Sequence, residues 1–306
     1  MTVLVATTVH RGSRKGEPHG GVFLVDLERR RGAHTVTWTR PGIDWQGHGG
    51  DRGLRGIATH GERLYLAASE EILVFAPDFA LLARHRSPYL RHAQALACFE
   101  NRLYVASAAY DSILAFDLAA GRFDWGLQLV DDQAGLRGTP FDPQGALGPP
   151  PANRMHLNSL YCDSRGMFIC GLRTMGLLCF DGKRIKRLVT LPEDVRDARP
   201  WRDGVLFNDT AANVVRFLTP EHNRVFRVPY YPVDLLEGAE DGRQVARQGF
   251  ARGLCVVSDR VFASGSSPLT ITLHDLDAMQ TTLSINLGTD VRQALHSLAV
   301  WPFTGG

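Results

Sequence analysis

Residues 55–86 read RGIATHGERLYLAASEEILVFAPDFALLARHR, and this stretch decides the fold. It contains four short apolar runs, which are separated by turns rich in Gly, Glu, Asp and Pro: GIAT, LYLAA, ILVFA and ALLARH. Short apolar runs bounded by turn residues are typical of β-strands, whereas helical periodicity is scarce in this chain. The stretch therefore predicts a unit of four antiparallel strands.

The same plan recurs along the chain. Four further copies follow the first one, at residues 94–129, 158–191, 199–230 and 252–287. Self-similarity at a spacing of about 40 residues, with four strands per copy, is typical of the blades of a β-propeller. The copies therefore predict five complete blades.

The two ends of the chain supply a sixth blade. Residues 296–303, HSLAVWPF, look like a first strand with nothing after it. The N-terminal runs TVLVATT, GGVFLVDL and AHTVTWTR look like second, third and fourth strands with nothing before them. Joining the ends removes the unpaired sheet edges of an open array. We predict an all-β, single-domain six-bladed β-propeller over residues 1–306, its sixth blade closed by the C-terminal strand with three N-terminal strands. Two β-sandwiches would leave the split copy unexplained.

Composition narrows the functional classes. A formal net charge of +2 over 306 residues gives no reason to expect a nucleic-acid or membrane partner. No apolar stretch approaches the ~20 residues of a membrane helix, and the N-terminus lacks the basic flank of a signal peptide. The five cysteines are odd in number and lie in strand-like runs, which favours reduced thiols in a cytoplasmic protein.

Two segments interrupt the repeat, residues 131–154 and 232–251. Connections this long are uncommon in compact domains and are often binding loops or lids. Because links between blades run from an outer strand to the next inner strand, we expect both segments on the face where the inner strands begin. The 131–154 segment is predicted to cover a site there.

Polar residues stand at the starts of the predicted inner strands. Alignment on the second strands puts five residues at one level near the predicted channel mouth: Arg55, Gln94, Asn158, Arg252 and His296. His92 and His156 stand two residues before Gln94 and Asn158, on the same face if the strand is regular. Imidazoles from different blades that converge on an axis are typical ligands of a transition metal. The pattern predicts a divalent metal held by His92, His156 and His296, and the alternative is a water-filled polar channel.

The metal's identity stays open at this point. Three histidines favour zinc or iron with a free position for water or substrate, whereas oxygen ligation by Gln94 or Asn158 would favour calcium. Arginines suit an anionic partner, since the guanidinium fork binds carboxylate or phosphate bidentately. We therefore expect a small anionic molecule to contact Arg55, Gln94, Asn158, Arg199 and Arg252.

Weaker candidates surround this set. His48 precedes the first inner strand, and residues 208–210, NDT, end a second strand where they could shape a turn or a site. Four other histidines fall in turns or outer strands and are expected to be solvated: His60, His85, His222 and His274. The sequence contains no GxSxG elbow and no P-loop.

The hairpin NSLYCDSRGMFICG, residues 158–171, resembles units of six-bladed propellers of the NHL and gluconolactonase (SMP-30) type. That resemblance implies an axial divalent metal held by Glu, Asn and Asp, and here Asn158 stands at a comparable level without the carboxylates. The motifs RGLRGIA, FDP, FNDT, ARGL, GSSP and WPF look more like a group of bacterial propellers without an assigned function.

Two functions follow as hypotheses. The first is a metal-dependent enzyme that acts on a small anionic metabolite at the channel mouth by hydrolysis, elimination or oxygen chemistry. The alternative is a non-catalytic propeller that binds a small ligand or a protein partner.

Overall fold

The computed structural model of the chain describes residues 2–14, 16–39, 53–238 and 247–303. In these residues the strands form six antiparallel sheets, five of four strands and one of five, so the all-β six-bladed propeller is confirmed. The chain divides into two compact units, a terminal unit (residues 1–55 and 201–306) and a central unit (residues 56–200). Within the described ranges, no helix has the length and apolarity needed to span a bilayer.

The strands follow the predicted repeat closely. Blade 6 takes the first three, which are β1 (Val3–His10), β2 (Gly20–Asp26) and β3 (Arg31–Trp38). Blade 1 contains β4 (Ile57–His60), β5 (Arg63–Ala68), β6 (Glu71–Phe75) and β7 (Leu81–Arg86). Blade 2 contains β8 (Ala93–Phe99), β9 (Arg102–Ser107), β10 (Ser112–Asp117), β11 (Arg122–Asp132) and β12 (Gly135–Phe141). A 3₁₀ turn at Ala108–Tyr110 links β9 to β10.

The remaining strands have the same arrangement. Blade 3 contains β13 (Leu157–Asp163), β14 (Gly166–Gly171), β15 (Gly176–Phe180) and β16 (Ile185–Thr190). Blade 4 contains β17 (Val195–Trp201), β18 (Gly204–Asp209), β19 (Val214–Leu218) and β20 (Asn223–Arg227), followed by a 3₁₀ turn at Val233–Leu235. Blade 5 contains β21 (Leu254–Val256), β22 (Val261–Ser266), β23 (Thr270–Asp275) and β24 (Gln280–Asn286). The last strand, β25 (Gln293–Val300), returns to blade 6.

The sixth blade is closed as the sequence predicts. β25 pairs antiparallel with β1, with Leu4 opposite Val300 and His10 opposite Gln293. Just beyond β25, the Trp301 N–H donates a 2.8 Å hydrogen bond to the Val3 carbonyl. The first and last strands of the chain therefore satisfy each other's backbone groups.

The hydrophobic core lies between neighbouring sheets, and each unit has its own clusters. In the terminal unit, one cluster includes Leu4, Ile271 and Leu295, and another includes Trp201, Phe226 and Phe262. In the central unit, the clusters of blades 1 to 3 include Leu103, Leu114, Leu127, Leu157 and Ile169. The outer strands are more exposed, as in β7, whose six residues are all exposed or half-buried.

The first part of the 131–154 segment is a strand hairpin, where the sequence predicts a loop. Its first part extends β11 to Asp132, and after a turn the chain returns as β12, which pairs Gly135 with Asp132 and Phe141 with Gly126. Residues 135–141 of the insertion are therefore a fifth strand at the outer edge of blade 2, and residues 142–154 contain no strand. An outer strand leaves backbone groups unpaired, and a local hairpin satisfies them.

His274 also departs from its prediction, because it is fully buried in β23 rather than solvated. Its Nε2 lies 3.0 Å from the Ser264 hydroxyl and 2.9 Å from that of Thr272, and its Nδ1 lies 2.9 Å from the Thr281 hydroxyl. Its ring also contacts Phe262, with ring centroids 4.9 Å apart. Burial lowers the pKa of His274 from 6.5 to about 4.

The packing of the closing strand predicts a large mutational effect. Leu295 is fully buried in β25, so Leu295→Ala should lower the free energy of unfolding by about 3 kcal/mol through lost burial and a residual cavity. Leu82→Ala is the control, because Leu82 is 54% exposed in an outer strand. Denaturant unfolding measures both, and equal effects would contradict the account of this core.

The buried His274 predicts a pH dependence. Its pKa is lower in the folded than in the unfolded chain, so the unfolded chain binds the extra proton between pH 6.5 and about 4, and stability falls as pH drops through that window. By pH 5 the loss should reach about 2 kcal/mol relative to pH 8. Unfolding at both pH values should show this loss in the wild type and in a variant of exposed His60, His60→Gln, but a smaller one in His274→Gln. An identical pH dependence in all three proteins would contradict the assignment.

Candidate functional site

Four inner strands begin with the same local conformation. The residues Gly53, His92, His156 and Asp194 all have positive φ angles, of 94°, 54°, 51° and 60°. Each stands two residues before a buried polar side chain, and these four side chains are 2–9% exposed: Arg55, Gln94, Asn158 and Arg196. Residues other than glycine seldom adopt a positive φ, so its recurrence at these four positions indicates a shared turn before the inner strand.

This turn changes the predicted placement of two histidines relative to the inner strands. His156 precedes β13, which begins at Leu157, and His92 precedes β8, which begins at Ala93. The expectation that His156 and Asn158 share a strand face is therefore wrong, because a left-handed residue interrupts the alternation of the extended chain. Both histidines are half-buried.

Three inner strands carry a β-bulge near their start, and in β8 and β13 the bulge follows this turn. The pairing register shifts between Ala93 and Leu96 in β8, between Leu157 and Ser159 in β13, and opposite Thr7 and Thr8 in β25. Each irregularity contains one of the predicted site residues, and all three are 2–3% exposed: Gln94, Asn158 and His296. Since a bulge re-aims a side chain, these three occupy one level within their own sheets. His296 therefore matches Gln94 and Asn158, not His92 and His156.

Two of these side chains present acceptors. Asn158 Nδ2 donates to the Val195 carbonyl at 3.1 Å. Among the described residues, Asn158 Oδ1 and Gln94 Oε1 are buried oxygen atoms without a hydrogen-bond partner. A buried acceptor costs free energy unless it is satisfied, so both oxygens are suited to accept a hydrogen bond from a polar ligand or water.

The Asp111 carboxylate holds the backbone at His156. Asp111 is 1% exposed and accepts the backbone N–H groups of Met155 and His156, each at 3.1 Å, and that of Arg154 at 2.5 Å. Burial raises the pKa of Asp111, while these three donors act in the opposite direction. The His156 Nδ1 lies 2.9 Å from the Asn153 side-chain oxygen, so both the backbone and the ring are fixed.

The predicted arginines lie in different settings. The Arg55 carbonyl accepts a hydrogen bond from the Thr7 hydroxyl, and the Arg55 side chain is 6% exposed. Arg199 lies further along β17, where its guanidinium carbon is 4.3 Å from the centre of the Tyr161 ring. Arg196, not Arg199, takes the position that corresponds to Gln94 and Asn158.

In the part of the chain that the structure describes, no three or more His, Cys, Asp or Glu side chains form a group that could hold a metal ion. His48 lies outside the described residues. The metal site of His92, His156 and His296 stays a prediction.

A second group of residues, in the terminal unit, was not expected as a set. We call it the Phe250 cluster, and it consists of Phe250 with Arg11, Arg247 and Arg252. The guanidinium carbons of these arginines lie 4.2, 5.3 and 5.4 Å from the centre of the Phe250 ring, respectively. Each distance is within the range of a cation–π contact, so one ring collects three positive charges.

Three sequence motifs support the backbone of this cluster. From FNDT, the Thr210 hydroxyl donates to the Ala251 carbonyl at 3.0 Å and Asn208 Nδ2 donates to the Gly253 carbonyl at 3.3 Å. From GSSP, the Ser267 carbonyl accepts the Gly249 N–H at 2.8 Å. The ARGL motif contributes Arg252 itself, whose N–H donates to Gly265 at 2.8 Å. The motifs therefore fix the chain on both sides of Phe250.

The individual arginines are also placed by direct contacts. Arg247 donates from one terminal nitrogen to the Thr210 carbonyl at 2.7 Å and from the other to the Asn213 side-chain oxygen. Arg11 directly follows β1, and its N–H donates to the Arg292 carbonyl at 2.9 Å. Burial, and then the positive charge of Arg247, lower the pKa of Arg11 to about 10.

Sequence reasoning found one member of this cluster, Arg252, and missed Arg11, Arg247 and Phe250. Arg247 and Phe250 lie in the 232–251 insertion, which has no repeat partner that could place it. Arg11 lies in a turn after the first strand, far from the others in the sequence. A signal that could have led to this cluster is the motif set FNDT, ARGL and GSSP, since all three motifs contact or contain residues of one segment.

Comparison with known proteins supports the fold. No protein-family model and no curated protein matches the sequence. The structure is similar to a chain of a nidogen/laminin complex, with 9% identity, a TM-score of 0.60, and 98% of this chain and 97% of that chain covered. It is also similar to a protein of unknown function from Bacteroides caccae, with 11% identity, a TM-score of 0.56 and 99% of both chains covered. At these identities the likeness shows the fold alone.

The metal prediction can be tested directly. It expects stoichiometric zinc, iron or calcium in protein that was purified without added metal, and the loss of that metal in His156→Ala because one ligand is removed. Elemental analysis by mass spectrometry measures both proteins, with His60→Ala as the control. Protein that holds no metal under any loading would contradict it.

Proposed function

We propose that this propeller binds a small polyanion, such as a di- or tricarboxylate, at the Phe250 cluster. The observation that carries the proposal is the convergence of three guanidinium groups on one phenyl ring. A guanidinium binds a carboxylate or phosphate through two parallel hydrogen bonds, and several forks around one point favour an anion with more than one charge.

The electrostatics of Arg11 support this function. Its pKa is lowered to about 10, by burial first and by the charge of Arg247 second, so the group remains protonated at neutral pH in surroundings that disfavour its charge. A bound anion would offset both effects, because it supplies the opposite charge at short range. The cluster therefore gains more from an anion than an exposed arginine would.

The rigidity of the cluster is a second support. Arg247 is held by two side-chain contacts, and the backbone at Gly249, Ala251, Arg252 and Gly253 is held by hydrogen bonds from neighbouring strands. Groups that are already in position lose less conformational entropy when they bind a ligand. Positioned donors of this kind are typical of a recognition site for small molecules.

This function corresponds to the non-catalytic alternative of the sequence analysis, with Arg252 in its predicted anion-binding role. The amide oxygens of Gln94 and Asn158, in the central unit, remain candidates for polar ligands of their own. The metal-dependent reaction and the likeness to gluconolactonases stay predictions, and no part of the proposed binding depends on a metal.

Calorimetric titration with citrate tests the proposal. Arg252→Gln and Arg11→Gln should each weaken citrate binding about tenfold or more, because each removes a charged hydrogen-bond donor. The matched control is Arg202→Gln, since Arg202 lies at the β17–β18 turn in the same unit and pairs with Asp277 at 2.7 Å.

The results of the citrate titration either support or contradict binding at the Phe250 cluster. Citrate binding that weakens in the two cluster variants and persists in Arg202→Gln supports the site. A wild-type protein that binds neither citrate nor inorganic phosphate, or an equal loss in all three variants, would contradict it.

A further inference from the structure

A second basic site lies in the central unit and shares no residue with the Phe250 cluster. A cleft of about 380 Å³ separates the outer strand β7 of blade 1 from the β10–β11 turn of blade 2. Its charged and titratable lining consists of Arg84, His85, Arg86 and Arg122, and among the described residues that line it there is no carboxylate. The cleft is therefore lined by positive charge only.

Two of these arginines are oriented by one buried carboxylate. Glu71 is fully buried, and its Oε1 accepts Arg84 at 3.1 Å, while its Oε2 accepts the Nε and a terminal nitrogen of Arg86 at 3.0 and 2.9 Å. The Arg84 and Arg86 side chains are still 47% and 60% exposed. One negative charge thus holds two guanidinium groups in place at the surface and leaves a net charge of +1.

The opposite wall adds a further charge. Arg122 is exposed at the start of β11. Asp117, in the same turn, uses one oxygen to accept the N–H groups of Ala119 and Ala120, both at 2.8 Å, and its negative charge also interacts with the positive charge of Arg122. Burial, and then the charge of Arg63, lower the pKa of His85, so its ring is neutral at pH 7. The ring packs on Phe116, with ring centroids 4.4 Å apart. The charged groups that line the cleft, taken together with Glu71, therefore sum to about +2 at neutral pH, and Asp117 offsets part of the charge of Arg122.

We propose that this cleft binds the phosphate group of a small phosphate monoester, with Arg86 and Arg122 on opposite sides of the dianion. The net positive charge of the cleft is opposite in sign to that of the phosphate dianion. The forked guanidinium groups can also donate two parallel hydrogen bonds to the phosphate oxygens. Pro88, Phe123 and Pro143 also line the cleft and offer apolar surface to the organic part of the ligand. This site is independent of the Phe250 cluster, which lies in the other unit.

Chemical footprinting tests the proposal residue by residue. Phenylglyoxal modifies accessible arginines, and peptide mass spectrometry reads each one separately, so the two anion sites cannot be confused. Phenyl phosphate should slow the modification of Arg86 and Arg122 about fivefold or more, because bidentate contacts occupy the reactive nitrogens. Arg184 is the internal reference, since it is exposed at the corresponding β15–β16 turn of blade 3.

One substitution makes the test decisive. Arg122→Gln should abolish the protection of Arg86, because one side of the phosphate contact is lost, whereas Arg184→Gln should preserve it. Protection of Arg86 that is unchanged in Arg122→Gln would overturn the proposal. Wild-type modification rates at Arg86 and Arg122 that are the same with and without phenyl phosphate would also overturn it.

Discussion

The pairing of the last strand with the first is the interaction that organises the terminal unit. It places His10 opposite Gln293, so that Arg11 emerges beside Arg292 and donates its N–H to the Arg292 carbonyl. The same pairing brings β25 against blade 5: a side chain on Gly253, which has a φ of 77°, would meet Leu298 at 3.3 Å. Arg11 and the segment of Arg252 are thereby positioned by residues that lie at opposite ends of the sequence.

The arginines of the two proposed sites are held by different kinds of partner. On blade 1, a buried glutamate shares its two oxygens between Arg84 and Arg86, so the charges are partly neutralised within the protein. At the Phe250 cluster, Arg247 donates to the Thr210 carbonyl and to the Asn213 side-chain oxygen, and its guanidinium carbon lies 5.3 Å from the centre of the Phe250 ring. These acceptors orient the Arg247 guanidinium and carry no opposite charge themselves.

The fold could be predicted because each blade repeats one local pattern of apolar runs and turns, and because the split copy at the termini has a single simple explanation. Local conformation was harder to predict. The left-handed residue at His156 and the bulge at Asn158 are tertiary adjustments of the inner strand, and the alternation of residue types does not show them. The sequence predicts His274 in solvent because an outer part of a blade usually faces water, but three hydroxyls and two phenyl rings enclose it instead.

The candidate site was predicted only in part, since Arg252 stands at the head of an inner strand whereas its partners come from irregular segments. The most direct test is the anomalous diffraction of crystals soaked in selenate, a compact dianion that selenium makes visible. The account predicts a selenium peak within hydrogen-bond distance of the Arg11 and Arg252 guanidinium groups. Selenium peaks elsewhere on the protein, with none at the Phe250 cluster, would contradict it.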